Sequence, residues 1–280
     1  MNVLLFTVFI FAGSFGAGFL GSLTGLGGGI VIIPLLTAVF GVDIRYAIGA
    51  SLVSVIATSS GAAAAYVKEG FSNIRIGMFL EIATTVGALV GAFLALHLST
   101  PVIALIFGLV LMHSAYVSSR PRDESAGQVK ADKLATRLRM NGTYPARGGL
   151  VPYNVTSVPS GFGLMFVAGT ISGLLGIGSG AVKVLAMDQA MRLPFKVSTA
   201  TSNFMIGVTA AASAGIYLRQ GYIDPGLTMP VMLGVLLGSS IGARHLFSAE
   251  TKKLRVVFGM VIFVLALEML YTGLKGLFLI

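Results

Sequence analysis

Residues 22–34 read Ser22-Leu-Thr-Gly25-Leu-Gly27-Gly28-Gly29-Ile-Val-Ile-Ile-Pro34, and residues 173–185 read Gly173-Leu-Leu-Gly176-Ile-Gly178-Ser179-Gly180-Ala-Val-Lys183-Val-Leu185. The offset that carries Gly25 onto Gly176 holds without a gap from residues 15–110 to residues 166–261. It places Ser51 on Ser202, Thr58 on Thr209, Tyr66 on Tyr217, Gly70 on Gly221, Gly87 and Gly91 on Gly238 and Gly242, and Phe107-Gly108 on Phe258-Gly259. A period this long is not a solenoid unit. It marks a duplicated half-protein.

The composition says which solvent the halves are built for. Of the 280 residues, 55% are hydrophobic and 10% charged, with mean hydropathy +0.92. Soluble domains carry about 25% charged residues, and a soluble fold of this size could not hide so much apolar surface. Lipid as solvent removes the difficulty, and the 37 glycines suit closely packed membrane helices. A duplicated, strongly apolar chain points to a membrane transporter. The formal net charge of +9 does not argue for nucleic acid, because the basic residues lie mainly between the apolar runs and no basic patch carries interleaved aromatics. The absence of Cys excludes disulfides and thiolate chemistry. The apolar start has no basic leader, so it reads as a retained helix rather than a cleaved signal.

Apolar runs fall at residues 3–23, 28–40, 46–67, 74–97 and 102–118, and again at 159–175, 180–191, 196–218, 226–247 and 254–272. The expected fold is an all-α integral membrane protein made of two repeats of five helical segments. The expected divisions are 1–118, a basic linker at 119–158 and 159–280. The second segment of each half is short, about 20 Å of helix against a hydrocarbon core of about 30 Å, and each follows a glycine cluster.

If all five segments cross and the linker is cytoplasmic, only Arg45, Arg219 and Lys275 fall outside. Making the short segments re-entrant would instead put Arg244, Lys252, Lys253 and Arg255 outside, against the positive-inside rule. Five crossings per half invert the second copy, which predicts inverted-topology repeats with both termini outside the cell membrane. The linker reads as a solvated tether.

Glycine permits backbone turns and close approach, and non-helical backbone at membrane depth survives only within protein or beside a watery cavity. A helix beginning there points unpaired N–H groups into that cavity, as an anion site requires. The same glycines also suit tight helix packing. The candidate substrate ligands in the clusters are Gly25, Gly27, Gly28 and Gly29, and Gly176, Gly178, Ser179 and Gly180.

Lys183 stands in an apolar segment where the first copy has Ile32. A cation there needs an anion, an acid or a cavity; an ion pair with Glu81 or Asp188 and contact with the ligand are both open. Ser51 with Thr58, and Ser202 with Thr209, share helix faces seven residues apart. Thr201 and Asn203 add polar groups in the second copy. Ser51, Thr201, Ser202 and Asn203 join the candidate ligands. Glu81, inside the fourth segment, is a candidate for carrying a coupling proton. No cofactor, metal or catalytic residue is expected.

At these residues the chain resembles the TauE/SafE sulfite exporter family. The resemblance rests on the two glycine signatures, with Pro34 after the first, and on Pro194-Phe-Lys-Val-Ser-Thr-Ala-Thr201-Ser202-Asn203-Phe-Met-Ile-Gly207. It implies a membrane transporter of small anions, chiefly sulfite, sulfonates and other organosulfur compounds. Two positions depart from the family pattern. Ser179 stands where a Gly is usual. Leu185 stands where a Pro is usual, which predicts a straighter seventh segment.

The resulting expectation is a secondary transporter, exporting a sulfur-containing oxyanion and rocking one half against the other. A passive anion channel is the alternative. An enzyme is not expected: no His lies deep in a segment and no pair of Asp stands at catalytic spacing. The expected partners are a small anion, the lipid bilayer and a coupling proton, with self-association left open and no nucleic acid.

Overall fold

The computed structural model describes residues 3–24, 28–68, 70–119, 131–146, 149–246 and 251–278. The first half runs α1 (Val3–Thr24), α2 (Gly29–Pro34), α3 (Ile44–Lys68), α4 (Ile74–His97) and α5 (Thr100–Ser119). A short linker helix α6 (Lys133–Arg137) and a hairpin of β1 (Gly142–Ala146) and β2 (Gly149–Tyr153) follow. The second half runs α7 (Val158–Leu175), α8 (Gly180–Leu185), α9 (Phe195–Arg219), α10 (Pro225–Leu246) and α11 (Thr251–Phe278). Among the described residues the fold is all-α apart from the hairpin, as expected. Among the described residues α4, α7 and α10 are long and apolar enough to cross a membrane.

Helix α4 shows the solvent these helices are made for. Its exposed face carries Met78, Ile82, Val86, Leu89 and Phe93, spaced three and four apart, while Gly77, Glu81, Thr84, Ala88, Gly91 and Ala95 are buried. An apolar exterior around small and polar interior residues is the reverse of a soluble helix, and fits a lipid-facing surface with small residues at the interfaces. A Cβ at Gly91 would overlap the Thr170 carbonyl, and one at Gly173 the Ala88 carbonyl, so α4 and α7 pack backbone to backbone.

The halves share a packing scheme. Helix α4 packs on α7, and their counterparts α10 and α1 pack on each other; α4 also lies on α9 as α10 lies on α3. The equivalent helices α5 and α11 meet in antiparallel fashion. Gly108 of α5 lies against Leu270 of α11, whereas Pro101, earlier in α5, meets Gly273 and Gly276.

Two expectations need correction. Both short second segments end in a π-helical turn, Leu35–Val39 after Pro34 and Ala186–Ala190 after Leu185, so the seventh segment is not straighter. The turns close identically, Val42 N–H to the Leu36 carbonyl and Leu193 N–H to that of Met187, both at 3.0 Å. The break therefore does not require a proline.

Residues 131–157 are also not a free tether. Ala135, Met140, Tyr153 and Val155 are buried in one cluster with Ile76 and Leu80 of α4, Met187 and Met191 after α8, and Val197 of α9. Asn73, the N-cap of α4, donates its amide to the Met140 carbonyl (2.9 Å) and the Tyr153 hydroxyl (2.7 Å). Its Oδ1 accepts from Ile76 N–H at 3.1 Å. The described part of the linker is a folded cap on the ends of α4 and α9.

Candidate functional site

The site is built from the second glycine cluster and the helices that hold it. Helix α7 closes with Gly176 N–H donating to the Ser172 carbonyl at 2.8 Å. The chain then turns through left-handed conformations at Gly176 (φ +66°), Gly178 (φ +69°) and Ser179 (φ +44°). The first two are conformations that glycine adopts without strain, whereas Ser179 holds one that costs a residue with a Cβ. Its first-half mate Gly28 is instead right-handed at φ −67°, so the duplicated clusters differ in backbone as well as sequence.

Helix α3 draws both clusters together. Ser51 Oγ donates to the Gly176 carbonyl at 2.9 Å. A Cβ on Gly29 would stand 2.8 Å from that same Oγ and 2.9 Å from Val55 Cγ2, and one on Gly178 would stand 3.1 Å from Val55 Cγ1. Gly29, Ser51, Gly176 and Gly178 thus form one junction, with Val55 touching both sides. In the second half Ser202 Oγ donates to the Gly180 carbonyl at 3.3 Å. Gly28 faces elsewhere, packed on Val235 of α10 and Gly18 of α1. Gly25 and Gly27 lie outside the described residues.

Lys183, one turn into α8, is fully buried. Its ammonium donates to Thr209 Oγ1 at 2.5 Å, and Thr209 Oγ1 lies 2.7 Å from Glu81 Oε1. The acid is therefore Glu81, but a hydroxyl stands between it and the lysine instead of a direct ion pair. Thr85 Oγ1 also donates to Glu81 Oε1, at 3.2 Å. Glu81 Oε2 has no hydrogen-bond partner among the described residues, and neither do the buried hydroxyls of Ser172 and Ser179. An ammonium has three donors; among the described residues only Thr209 is recorded as accepting from Lys183.

The polar residues of α9 do not all face this place. Ser202 and Thr209, seven apart, lie on one face. Thr201 does not join them, since its hydroxyl accepts the Asn73 backbone N–H at 3.0 Å. Asn203 is buried 100° round the helix on the other side of Ser202. Thr209 is the residue that sequence reasoning undervalued. Its mate Thr58 only bonds back to the carbonyls of Ser54 and Val55, so the repeat alone gave it no distinction. Its signal was the seven-residue step from Ser202, taken together with an unmatched lysine on the preceding helix.

Apolar helix surfaces around a core holding a lysine, a glutamate and unpartnered hydroxyls define a helical integral membrane protein with an interior polar site. Residues 10–269 match the sulfite exporter TauE/SafE family, and the chain belongs to that family. It is similar to the probable membrane transporter protein YunE of Bacillus subtilis, 29% identical over 92% of this chain and 95% of the relative. It is 27% identical to a probable membrane transporter protein of Xylella fastidiosa over 93% of both chains. It is 26% identical to the probable membrane transporter protein YdhB of B. subtilis, over 79% of this chain and 82% of the relative. No solved structure matches the chain.

Proposed function

We propose that this protein is a secondary transporter of a small sulfur-containing oxyanion, sulfite or a sulfonate, across the cell membrane, with export as its working direction. The observation that carries the reading is Lys183, a fully buried ammonium with one acceptor among the described residues for its three N–H donors. A buried cation without full compensation is costly, and an anion at those donors supplies the missing partner. The unpartnered hydroxyls of Ser179 and Ser172 add directional donors, as a tetrahedral or pyramidal oxyanion needs. The sulfur chemistry rests on the family.

The inverted arrangement is part of the proposal. Antiparallel packing of the equivalent helices α5 and α11 supports it, and so does the excess of Lys and Arg in one alternate set of loops. On that reading the linker cap is cytoplasmic and both termini are outside.

Sulfite efflux from loaded proteoliposomes tests the site. Lys183→Ala and Gly178→Leu should each lower the rate at least tenfold while the protein remains monodisperse in detergent. Unchanged flux in both removes the site. Steady sulfite currents in planar bilayers, rising without saturation, would instead make the protein a channel.

A further inference from the structure

Thr209 stands between a cation and an acid, and its hydroxyl has two acceptors in reach. These are Glu81 Oε1 at 2.7 Å and the Met205 carbonyl at 3.1 Å, and a hydroxyl has one proton to give. With Glu81 ionised, Thr209 donates to it and accepts from Lys183. With a proton on Glu81 Oε1, the carboxyl donates to Thr209, and Thr209 turns its hydrogen onto the Met205 carbonyl. Lys183 still donates to the same oxygen. Both states satisfy the central hydroxyl with the same heavy-atom positions.

We infer that Glu81, Thr209 and Lys183 form a proton-coupling relay, in which uptake of one proton by Glu81 accompanies binding of one anion at Lys183. This rests on the anion-transporter reading above. An anion at the spare donors of Lys183 and a carboxylate behind Thr209 repel each other across a short, water-poor distance. Protonating Glu81 removes that repulsion and leaves the ammonium charge for the anion. The linkage is reciprocal, so bound anion also favours the protonated acid. The proton comes from solvent and ends between Glu81 Oε1 and Thr209. Glu81 Oε2, with no partner among the described residues, is then a carbonyl oxygen rather than half of a charge, and its burial costs less.

No other charged group of the packed helices is interposed. Helix α7 carries none, and α9 carries Lys196 and Arg219 only near its two ends. Asp188 lies in the turn after α8, while Arg75 and His97 lie at the ends of α4 itself. Since anion and proton move together, net direction follows the sum of the two gradients.

The test measures two sulfite activities in proteoliposomes: equilibrium exchange, and accumulation driven by a pH gradient. Wild type should accumulate sulfite about tenfold per pH unit, the ratio for one proton per monovalent anion. Glu81→Gln should lose gradient-driven accumulation altogether, and the exchange that remains should no longer depend on pH. Thr209→Val, which removes the relay but not the acid, should weaken the response to the pH gradient. Lys183→Ala should lose exchange as well. If that variant exchanges normally, the anion site falls. If Glu81→Gln still accumulates sulfite, or if Glu81→Gln and Thr209→Val both lose exchange, the relay falls and the site stands.

Infrared titration of the purified protein reads the relay without any substrate. A protonated-carboxyl band absent from Glu81→Gln should shift its titration in Lys183→Ala and Thr209→Val. A band indifferent to both changes overturns the coupling.

Discussion

At Gly178 the backbone holds φ +69°, and a Cβ there would come 2.9 Å from Ile206 Cγ2 and 3.1 Å from Val55 Cγ1. Val55 and Ile206 are equivalent residues of the two halves, so this glycine sits where the duplicated helices α3 and α9 close on each other. Gly178→Ala should cost about 1–3 kcal/mol through strain and crowding. Gly215→Ala, in α9 with open space around the added methyl, should be neutral or raise stability by up to about 1 kcal/mol. Thermal unfolding of both variants in detergent checks the contrast, and equal behaviour would mean the left-handed turn is not rigid.

Much of this junction was legible in the sequence. Glycines imply close approach, and Gly29 and Gly178 make it against Val55 of α3. Two features were not legible. A seven-residue step makes Thr209 face Lys183 only when α8 and α9 pack at this depth, and Thr201 belongs to the α4 cap because Asn73 reaches it from another element. Sequence spacing fixes which residues share a helix face, but not which neighbour that face meets.

At the scale of elements, Asn73 joins the linker cap to the helices. It caps α4, binds Met140 and Tyr153 of the linker, and through its N–H binds Thr201 of α9. Asn73→Ala should cost about 1–2 kcal/mol from the lost cap and release the linker. Faster tryptic cleavage after Arg137 and Arg139 would report that release, and an unchanged cleavage rate would show that the buried cluster alone holds the linker.

Tyr153 adds a pH dependence to the same contact. Burial pushes its phenol above the ordinary 10.0, and the Asn73 hydrogen bond opposes the shift only in part. An acid whose folded value is raised contributes stability that is complete below the unfolded value and is lost as pH rises through the folded one. Docking should therefore weaken from about pH 10 upward, and Tyr153→Phe should lack that weakening when cleavage is followed from pH 8 to 11. The expected tether became a cap because apolar residues at 135, 140, 153 and 155 are too scattered to show periodicity. Their burial depends on an apolar surface at the ends of α4 and α9 that sequence does not reveal.

At the scale of the molecule, sequence halves and packed bodies do not coincide. Helix α1 packs on α10 and α4 on α7, so each half gives its outer helices to the other. The helix pairs α1–α10, α4–α7 and α5–α11 pack most extensively, and the core around α3 continues into α7 and α9. The expected rocking of one half against the other would tear apart the tightest backbone contacts in the fold, including Gly91 on Thr170. We expect the motion at the α3–α9 seam, where Val55 touches Gly29 and Gly178, because movement there leaves those contacts intact. Sequence identified the duplication but not this exchange, because an internal repeat says which segments are equivalent and not which are neighbours.

The seam offers a direct test. A Cβ on Gly207 of α9 would lie 3.5 Å from Ser59 Cβ of α3, within the range a disulfide spans, and the chain has no cysteine of its own. The double variant Ser59→Cys with Gly207→Cys, oxidised, should fall at least tenfold in sulfite exchange and recover on reduction. Each single variant should respond to neither treatment. Full exchange by the oxidised double variant, with the bridge verified by mass spectrometry, would show that the α3–α9 seam stays closed through the cycle and that the moving surface lies elsewhere, the α5–α11 contact being the other place where equivalent helices meet.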